Sequence, residues 1–346
     1  MPPATKPAQK TERLNELAFS FKNAGTLIGA IELGLFTAIS EGSDDAEKLA
    51  VALSLPFETI DRLIIACKSL DLIVHSGGLF KNADDVERYL VRTKRTYLGD
   101  FLAYEFHRRY SEWEGVSQRL RGSGKPKQES YYIELLQNPE EARKFTVAGY
   151  ESAIGLAHVL PKRFDFSTHR RWLDFAGGSG VYSIVACERY PELTALVLDQ
   201  EHVIPVTREF IAKHGLEDRV KAQTGDFRNR DEYPPGFDLI SFITPLQGYM
   251  PDEVRRFFTY AFEALEPGGE ILVVDYMLED DKAGPLDPAL VNLSQVVDGH
   301  CTGRVNSGAE FYDFLRAAGF DGVEVQWLLS HQLGLVTARK PPEIAD

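Results

Sequence analysis

The most constraining stretch of the chain is Trp172-Leu173-Asp174-Phe175, followed by Ala176-Gly177-Gly178-Ser179-Gly180 and a helical pattern from Val181 to Arg189. A short apolar run, a glycine-rich turn and a helix in that order open a parallel sheet covered by helices on both faces. Glycines at the carboxyl end of a first strand let the backbone turn sharply and approach a ligand closely. The alternation then continues. Leu196-Val197-Leu198-Asp199 is a second strand, Gly225-Asp226-Phe227 closes a third, and Phe237-Asp238-Leu239-Ile240-Ser241-Phe242 is a fourth. A helix through Asp252 to Leu265, the turn Glu266-Pro267-Gly268-Gly269 and a fifth strand ending in Asp275 follow. Asp199 falls about twenty residues beyond the glycines, where a carboxylate accepts hydrogen bonds from ribose hydroxyls. No phosphate-cradling loop ending in Gly-Lys-Ser/Thr is present, which tells against nucleoside triphosphate hydrolysis.

The first hundred residues have a different texture. From Thr11 to Ser40 the apolar residues recur at steps of three and four, and Ser43-Asp44-Asp45 and Leu55-Pro56 open further helices. Leu72-Ile73-Val74-His75, the turn Ser76-Gly77-Gly78 and Leu79-Phe80 then read as a hairpin. Three helices and a hairpin make a winged-helix pattern, which raises DNA binding as a reading. The candidate recognition helix, Glu58 to Lys68, is strongly apolar and poor in cations. The whole chain carries 38 Lys and Arg against 52 Asp and Glu, a net charge of −14, and such a balance repels a phosphate backbone. A dimerisation module, with no nucleic-acid partner, is therefore expected.

At 346 residues the chain has material for about two domains. Apolar runs stay short of the roughly 18 residues a membrane span needs, so no membrane partner is expected. The N-terminus lacks an apolar signal core, and three widely separated cysteines offer no zinc spacing. Reduced thiols and a cytoplasmic location follow as expectations, with no metal site.

Residues 97 to 160 read as helices dense in aromatics, Tyr104 and Trp113 among them. Such a stripe either fills a core or walls a pocket. His107-Arg108-Arg109 lies within it, either as a solvated face or as a cluster that holds an anionic or planar substrate. Glu151 follows on the helix that Asn138-Pro139-Glu140-Glu141 opens.

Taken jointly, Leu173-Asp174-Phe175-Ala176-Gly177-Gly178-Ser179-Gly180, Asp199, Gly225-Asp226-Phe227 and Leu265-Glu266-Pro267-Gly268-Gly269 resemble the successive motifs of class I S-adenosylmethionine-dependent methyltransferases. The winged helix and the closing segment from Glu310 to Phe320 narrow the resemblance to the small-molecule O-methyltransferases of plant and bacterial metabolism. The resemblance implies an α/β fold, a C-terminal Rossmann-like methyltransferase sheet with an N-terminal, mostly helical winged-helix dimerisation domain. The domains expected are a disordered tail (1–11), the winged-helix module (12–100), linking helices that line the pocket (101–165) and the catalytic domain (166–346). It implies S-adenosyl-L-methionine as cofactor and a homodimer. Gly177 and Gly180 would face its methionine end, Asp199 its ribose, and Asp226 with Phe227 its adenine; Asp174 and Gly178 complete the set.

One departure from the family bears on mechanism. Its O-methylating members usually carry a His at the start of the helix after the fourth strand, and Gln247 stands at that position here. An amide cannot take a proton from a hydroxyl near neutrality. Asp275 matches one carboxylate that orients the missing His, whereas the second falls near Val305. Methylation of an electron-rich carbon, aromatic, enolate or alkene, is thus favoured over O-methylation. A carbon nucleophile attacks first and loses its proton afterwards, and Glu151, Asp298 and His300 are candidates to remove it. Gln247 and Tyr249 complete the catalytic candidates, with Tyr249 orienting substrate. The substrate-binding candidates are Tyr104, His107, Arg108, Trp113 and Asp298. The substrate is a small metabolite, anionic if the basic cluster faces it. Two other readings stay open: a methyltransferase fold repurposed for a pericyclic or decarboxylative step, and a winged-helix regulator that senses a metabolite.

Overall fold

A computed structural model describes residues 11–122, 131–297 and 303–343 of the chain. The chain divides into two compact units, one ending at Arg108 and one starting at Arg109.

The first unit carries α1 (Glu12–Phe19), α2 (Phe21–Leu33), α3 (Leu35–Ser40), α4 (Ala46–Ala52), α5 (Phe57–Ser69), α6 (Asp84–Tyr89) and the start of α7 (Gly99–Glu114). The single helical periodicity from Thr11 to Ser40 is broken twice. Ser20 keeps helical angles where α1 ends, and Gly34 takes the left-handed conformation (φ 76°) that ends α2. Asp45 caps α4 by accepting the Lys48 N–H at 2.8 Å. Strands β1 (Ile73–Ser76) and β2 (Leu79–Asn82) form the expected hairpin around Gly77 and Gly78, both at positive φ, as a two-residue turn requires. The core joins Ile28, Ile31, Phe36, Leu49, Ile60, Ile64 and Cys67. Helix α1 buries no residue, and Leu14, Leu17, Phe19 and Phe21 are exposed.

The second unit opens with α8 (Val116–Gly122), α9 (Tyr131–Leu136) and α10 (Pro139–Val159). Its sheet comprises β3 (Arg171–Phe175), β4 (Thr194–Asp199), β5 (Val220–Thr224), β6 (Phe237–Ile243), β7 (Leu265–Leu278), β8 (Asn306–Ser307), β9 (Asp321–Leu329) and β10 (Leu333–Arg339). The strand order is β5-β4-β3-β6-β7-β10-β9, with β8 pairing β7. Strands β3 to β7 run parallel, and β10 is antiparallel to both of its neighbours. The chain reverses its direction of growth between β3 and β6, the kind of point where open α/β sheets bind ligands.

Helices α11 (Val181–Arg189), α12 (Ile204–Lys213), α13 (Pro251–Ala264), α14 (Leu286–Val297) and α15 (Gly308–Ala318) accompany the sheet. Side chains of β3 alternate between two cores. Trp172 packs with Ala157, Ile184 and Ile204, whereas Leu173 and Phe175 pack with Phe257, Phe258 and Phe311. Helices thus cover both faces, the mixed α/β sheet expected.

Strand β7 corrects the sequence reading. The turn expected at 266–269 lies inside the strand, because Gly268 donates to Lys340 and Lys340 donates to Gly269 across the ladder. At its other end β7 pairs with β10 and β8, so Asp275 lies within the strand rather than closing it. Its parallel neighbour β6 stops opposite Val274, which leaves Asp275 just beyond the parallel part of the sheet.

The amino ends of β3, β6 and β7 hold a charge cluster. His169 is buried and stacked on Phe164, with Nδ1 3.8 Å from Asp238 and Nε2 3.5 Å from Glu270. Asp238 also accepts the backbone N–H groups of Arg170 and Arg171 at 2.8 and 3.0 Å. Among the described residues no helix is long and apolar enough to cross a membrane.

Candidate functional site

The turn after β3 has the backbone its glycines predict. Ala176, Gly178 and Gly180 take φ of 51°, 55° and 73°, and Gly180 starts α11. A Cβ on Gly177 would stand 2.7 Å from Val197 Cγ1 and 2.8 Å from Asp174 Oδ2, so only glycine fits there. Thr207 Oγ1 fastens the turn by donating to the Gly178 carbonyl at 2.6 Å.

Asp199 ties this turn to the end of β4. Its Oδ2 accepts the Gly178 N–H at 2.8 Å and its Oδ1 accepts the Gln200 N–H at 2.7 Å. A carboxylate has about four lone-pair sites, so each oxygen keeps capacity for one more donor. The carboxyl is only 8% exposed, and burial pushes its pKa up to about 6 against those two N–H groups. Two oxygens held side by side with spare acceptor capacity fit the vicinal hydroxyls of a ribose.

Asp174, expected among the cofactor contacts, has a different position. It is fully buried, and its oxygens accept from Ser183 at 2.8 Å and Ser241 at 2.7 Å; Ser241 in turn accepts from the Trp172 indole at 2.8 Å. It therefore braces β3, β6 and α11 from below the turn instead of facing the crevice. Burial raises its pKa to about 6.

Asp226 is gripped by Arg228, whose Nε lies 2.9 Å from both carboxylate oxygens. The Phe227 ring is mostly enclosed. It meets Phe242, Tyr249 and Phe257 edge-on at 5.7, 5.3 and 5.0 Å between centroids. The contact with Tyr249 joins this region to the turn that holds Gln247.

That turn, a short 3-10 helix from Leu246 to Gly248, is held by Asp275. The Asp275 Oδ2 accepts the Leu246 N–H at 2.7 Å and its Oδ1 accepts the Tyr276 N–H at 2.7 Å, with the Gln247 N–H contributing as well. Burial pushes Asp275 up to about 7. Its carboxylate is thus committed to backbone, not to the side chain at position 247. The Gln247 side chain is 8% exposed, and its Oε1 has no hydrogen-bond partner among the described residues. Tyr249 is buried beside Phe257, and burial raises its hydroxyl pKa. Val305, at the position of the family's second carboxylate, is a buried apolar residue.

The remaining candidates are dispersed. Tyr104, His107 and Arg108 lie on the part of α7 in the first unit, and Trp113 lies on its continuation in the second. His107 Nε2 pairs with Glu32 at 2.5 Å, and Arg108 is held by Glu105 at 2.9–3.1 Å. Glu151 sits half-buried on α10. Asp298 and His300 lie outside the described residues. Among the described residues no group of three or more His, Cys, Asp or Glu could hold a metal ion. Two buried amides, Gln295 on α14 and Asn306 in β8, escaped the sequence reading. The one available signal was a polar Ser294-Gln295 pair inside an apolar helical run.

Comparison with known proteins agrees with this architecture. A family model of the O-methyltransferase domain matches residues 121–321. A 3-hydroxy-5-methyl-1-naphthoate 3-O-methyltransferase of Streptomyces sahachiroi is 30% identical over 88% of this chain and 88% of its own. An L-tyrosine C(3)-methyltransferase of Streptomyces lavendulae is 25% identical over 92% and 89%. The structure of human N-acetylserotonin methyltransferase in complex with SAM superposes with a TM-score of 0.83 at 22% identity, covering 97% of this chain and all of that one.

Proposed function

Because the chain belongs to the O-methyltransferase domain family and is an S-adenosylmethionine-dependent methyltransferase of small molecules, we propose that it methylates an electron-rich carbon of its substrate. The observation that carries this reading is the Gln247 turn: an amide stands where a base is usual, and the Asp275 carboxylate below it is occupied by backbone N–H groups. The amide is not basic enough to take a hydroxyl proton, and Asp275, only 2% exposed, uses three of its roughly four acceptor sites on backbone N–H groups. The cofactor supplies an electrophilic methyl group, and what the protein must add is chiefly proximity and in-line orientation. A ring or alkene carbon meets that demand with its own electrons and releases its proton after the bond forms, whereas an enolate has given up its proton beforehand and leaves none to remove. The C(3)-methyltransferase among the relatives supports the reading, while the naphthoate relative supports a second one, transfer to a hydroxyl acidic enough to ionise unaided.

For the cofactor, we assign Asp199 to the ribose, Asp226 and Phe227 to the adenine, and the Gly177, Gly178 and Gly180 turn to the methionine end. Asp174 acts as a brace. Residues 12–100 are assigned to pairing two copies of the chain, supported by an α1 whose apolar residues find no burial within one copy. The dependence of kcat/KM on pH separates carbon from oxygen. Transfer to a neutral ring or alkene carbon without a base predicts a flat profile between about pH 7 and 9, whereas a hydroxyl, or a carbon acid that attacks as its enolate, must ionise unaided and raises the rate about tenfold per unit until its own pKa.

A further inference from the structure

Three buried carboxamides that the proposed transfer does not use lie on neighbouring segments of the second unit. Gln247 is 8% exposed, Gln295 2% and Asn306 1%. The side-chain oxygen of each, and the Asn306 amide nitrogen, lacks a hydrogen-bond partner among the described residues. The Gln295 nitrogen donates to the Val291 carbonyl at 3.3 Å, which leaves the oxygen as its unpaired end. A buried polar atom left without a partner costs about 1–3 kcal/mol. Several in one neighbourhood are a standing expense unless another molecule supplies their partners.

Contacts between the segments that carry them place the three in one neighbourhood. The Val305 N–H donates to Asn292 Oδ1 at 2.9 Å, and Asn292 lies one turn before Gln295 on the same side of α14. The Arg304 N–H donates to the Tyr249 carbonyl at 3.3 Å, and a Cβ on Gly303 would overlap the Gln247 carbonyl oxygen, so this segment lies on the Gln247 turn. Asn306 pairs with Met277 of β7, two residues beyond Asp275. Helix α14 packs against the same turn.

We propose that Gln247, Gln295 and Asn306 form an uncharged recognition set for a neutral, donor-rich group of the substrate, such as a pair of ring hydroxyls or a primary amide. The proposal rests on the reading that the Gln247 turn borders the transfer site. Three acceptor oxygens and one amide NH2 group, with two N–H donors, match a ligand that brings several O–H or N–H groups and fewer acceptors. A carboxylate, which only accepts, would face three oxygens and a single donor group. The neighbouring cations do not change this, since Arg304 and Lys282 are both paired with Glu310.

Calorimetry with saturating S-adenosylhomocysteine tests the set, using benzene and naphthalene rings in matched forms, each as a diol and as a carboxylate. The protein should bind each diol at least about tenfold more tightly than its carboxylate. Gln295→Leu and Asn306→Leu should each weaken diol binding about tenfold, with S-adenosylhomocysteine affinity kept and Tm unchanged or raised, because an unpaired buried polar group is removed. Carboxylates that bind as tightly, no binding of any diol, or a fall in Tm with diol affinity intact would each overturn the proposal; the last would mark the amides as parts of the fold. These affinities do not depend on which atom receives the methyl group. An oxygen-bound product would therefore overturn the carbon reading and leave the recognition set standing.

Discussion

The two ends of the central sheet treat buried charge in opposite ways. At the amino end, His169 has both Asp238 and Glu270 within ion-pair distance. Burial alone would lower its pKa, yet the two carboxylates lift it to about 9, and the paired Asp238 is lowered. At the carboxyl end Asp174, Asp199 and Asp275 meet only hydroxyl and backbone donors, and burial raises all three. One end uses charge to hold the fold, whereas the other keeps acids under-compensated beside the crevice where a ligand would bind. A protein tends to place such groups where function needs them.

The contrast can be broken first at Asp199. Asp199→Ala should lower cofactor affinity about a hundredfold, since it removes the acceptor for two donors that each contribute about 1.5 kcal/mol or more. Calorimetric titration measures this, and unchanged affinity would remove Asp199 from the ribose site.

His169→Gln probes the other end and should destabilise the fold by roughly 3 kcal/mol near neutrality, read by denaturant unfolding. The sign follows from a folded pKa of about 9 above an unfolded value of 6.5. The stabilisation is complete below the unfolded value and disappears as pH rises through 9, so variant and parent should converge in alkaline solution. Cofactor affinity should not change.

A smaller effect comes from pH acting on Asp199 itself. Ribose hydroxyls donate best to the ionised carboxyl, so affinity should be level above about pH 7. It should fall by up to about tenfold per unit below 6 as the acid protonates.

Asp174→Asn should change stability least at neutral pH, within about 1 kcal/mol, because a neutral amide sheds the desolvation cost while losing one acceptor. Its signature is in the pH dependence. A folded pKa of about 6, above the ordinary carboxyl value of 3.8, means that the parent loses stability as pH rises from 4 to 6. The variant should lose that slope.

The same contrast separates what the sequence could show from what it could not. The β3 turn was legible because glycines, strand and helix are adjacent in the chain, and Asp199 because its spacing from them is regular. The His169 cluster was not, since His169 comes from the loop before β3, Asp238 from β6 and Glu270 from β7, and only the folded sheet aligns them. The Glu266-Pro267-Gly268-Gly269 run reads locally as a turn, and only pairing with Lys340, remote in sequence, makes it strand. The break after α1 carries neither Gly nor Pro. Gln295 and Asn306 have polar side chains whose burial is decided entirely by packing, and the commitment of Asp275 to the Leu246 N–H required the fold of the Gln247 turn.

The claim that transfer proceeds to carbon is tested most directly by the product. A metabolite mixture incubated with methyl-deuterated S-adenosylmethionine, followed by mass spectrometry and treatment that cleaves methyl ethers, reports the atom that accepts the group. A label that survives cleavage, on carbon, is the predicted result; a label lost as an O-methyl group would contradict it.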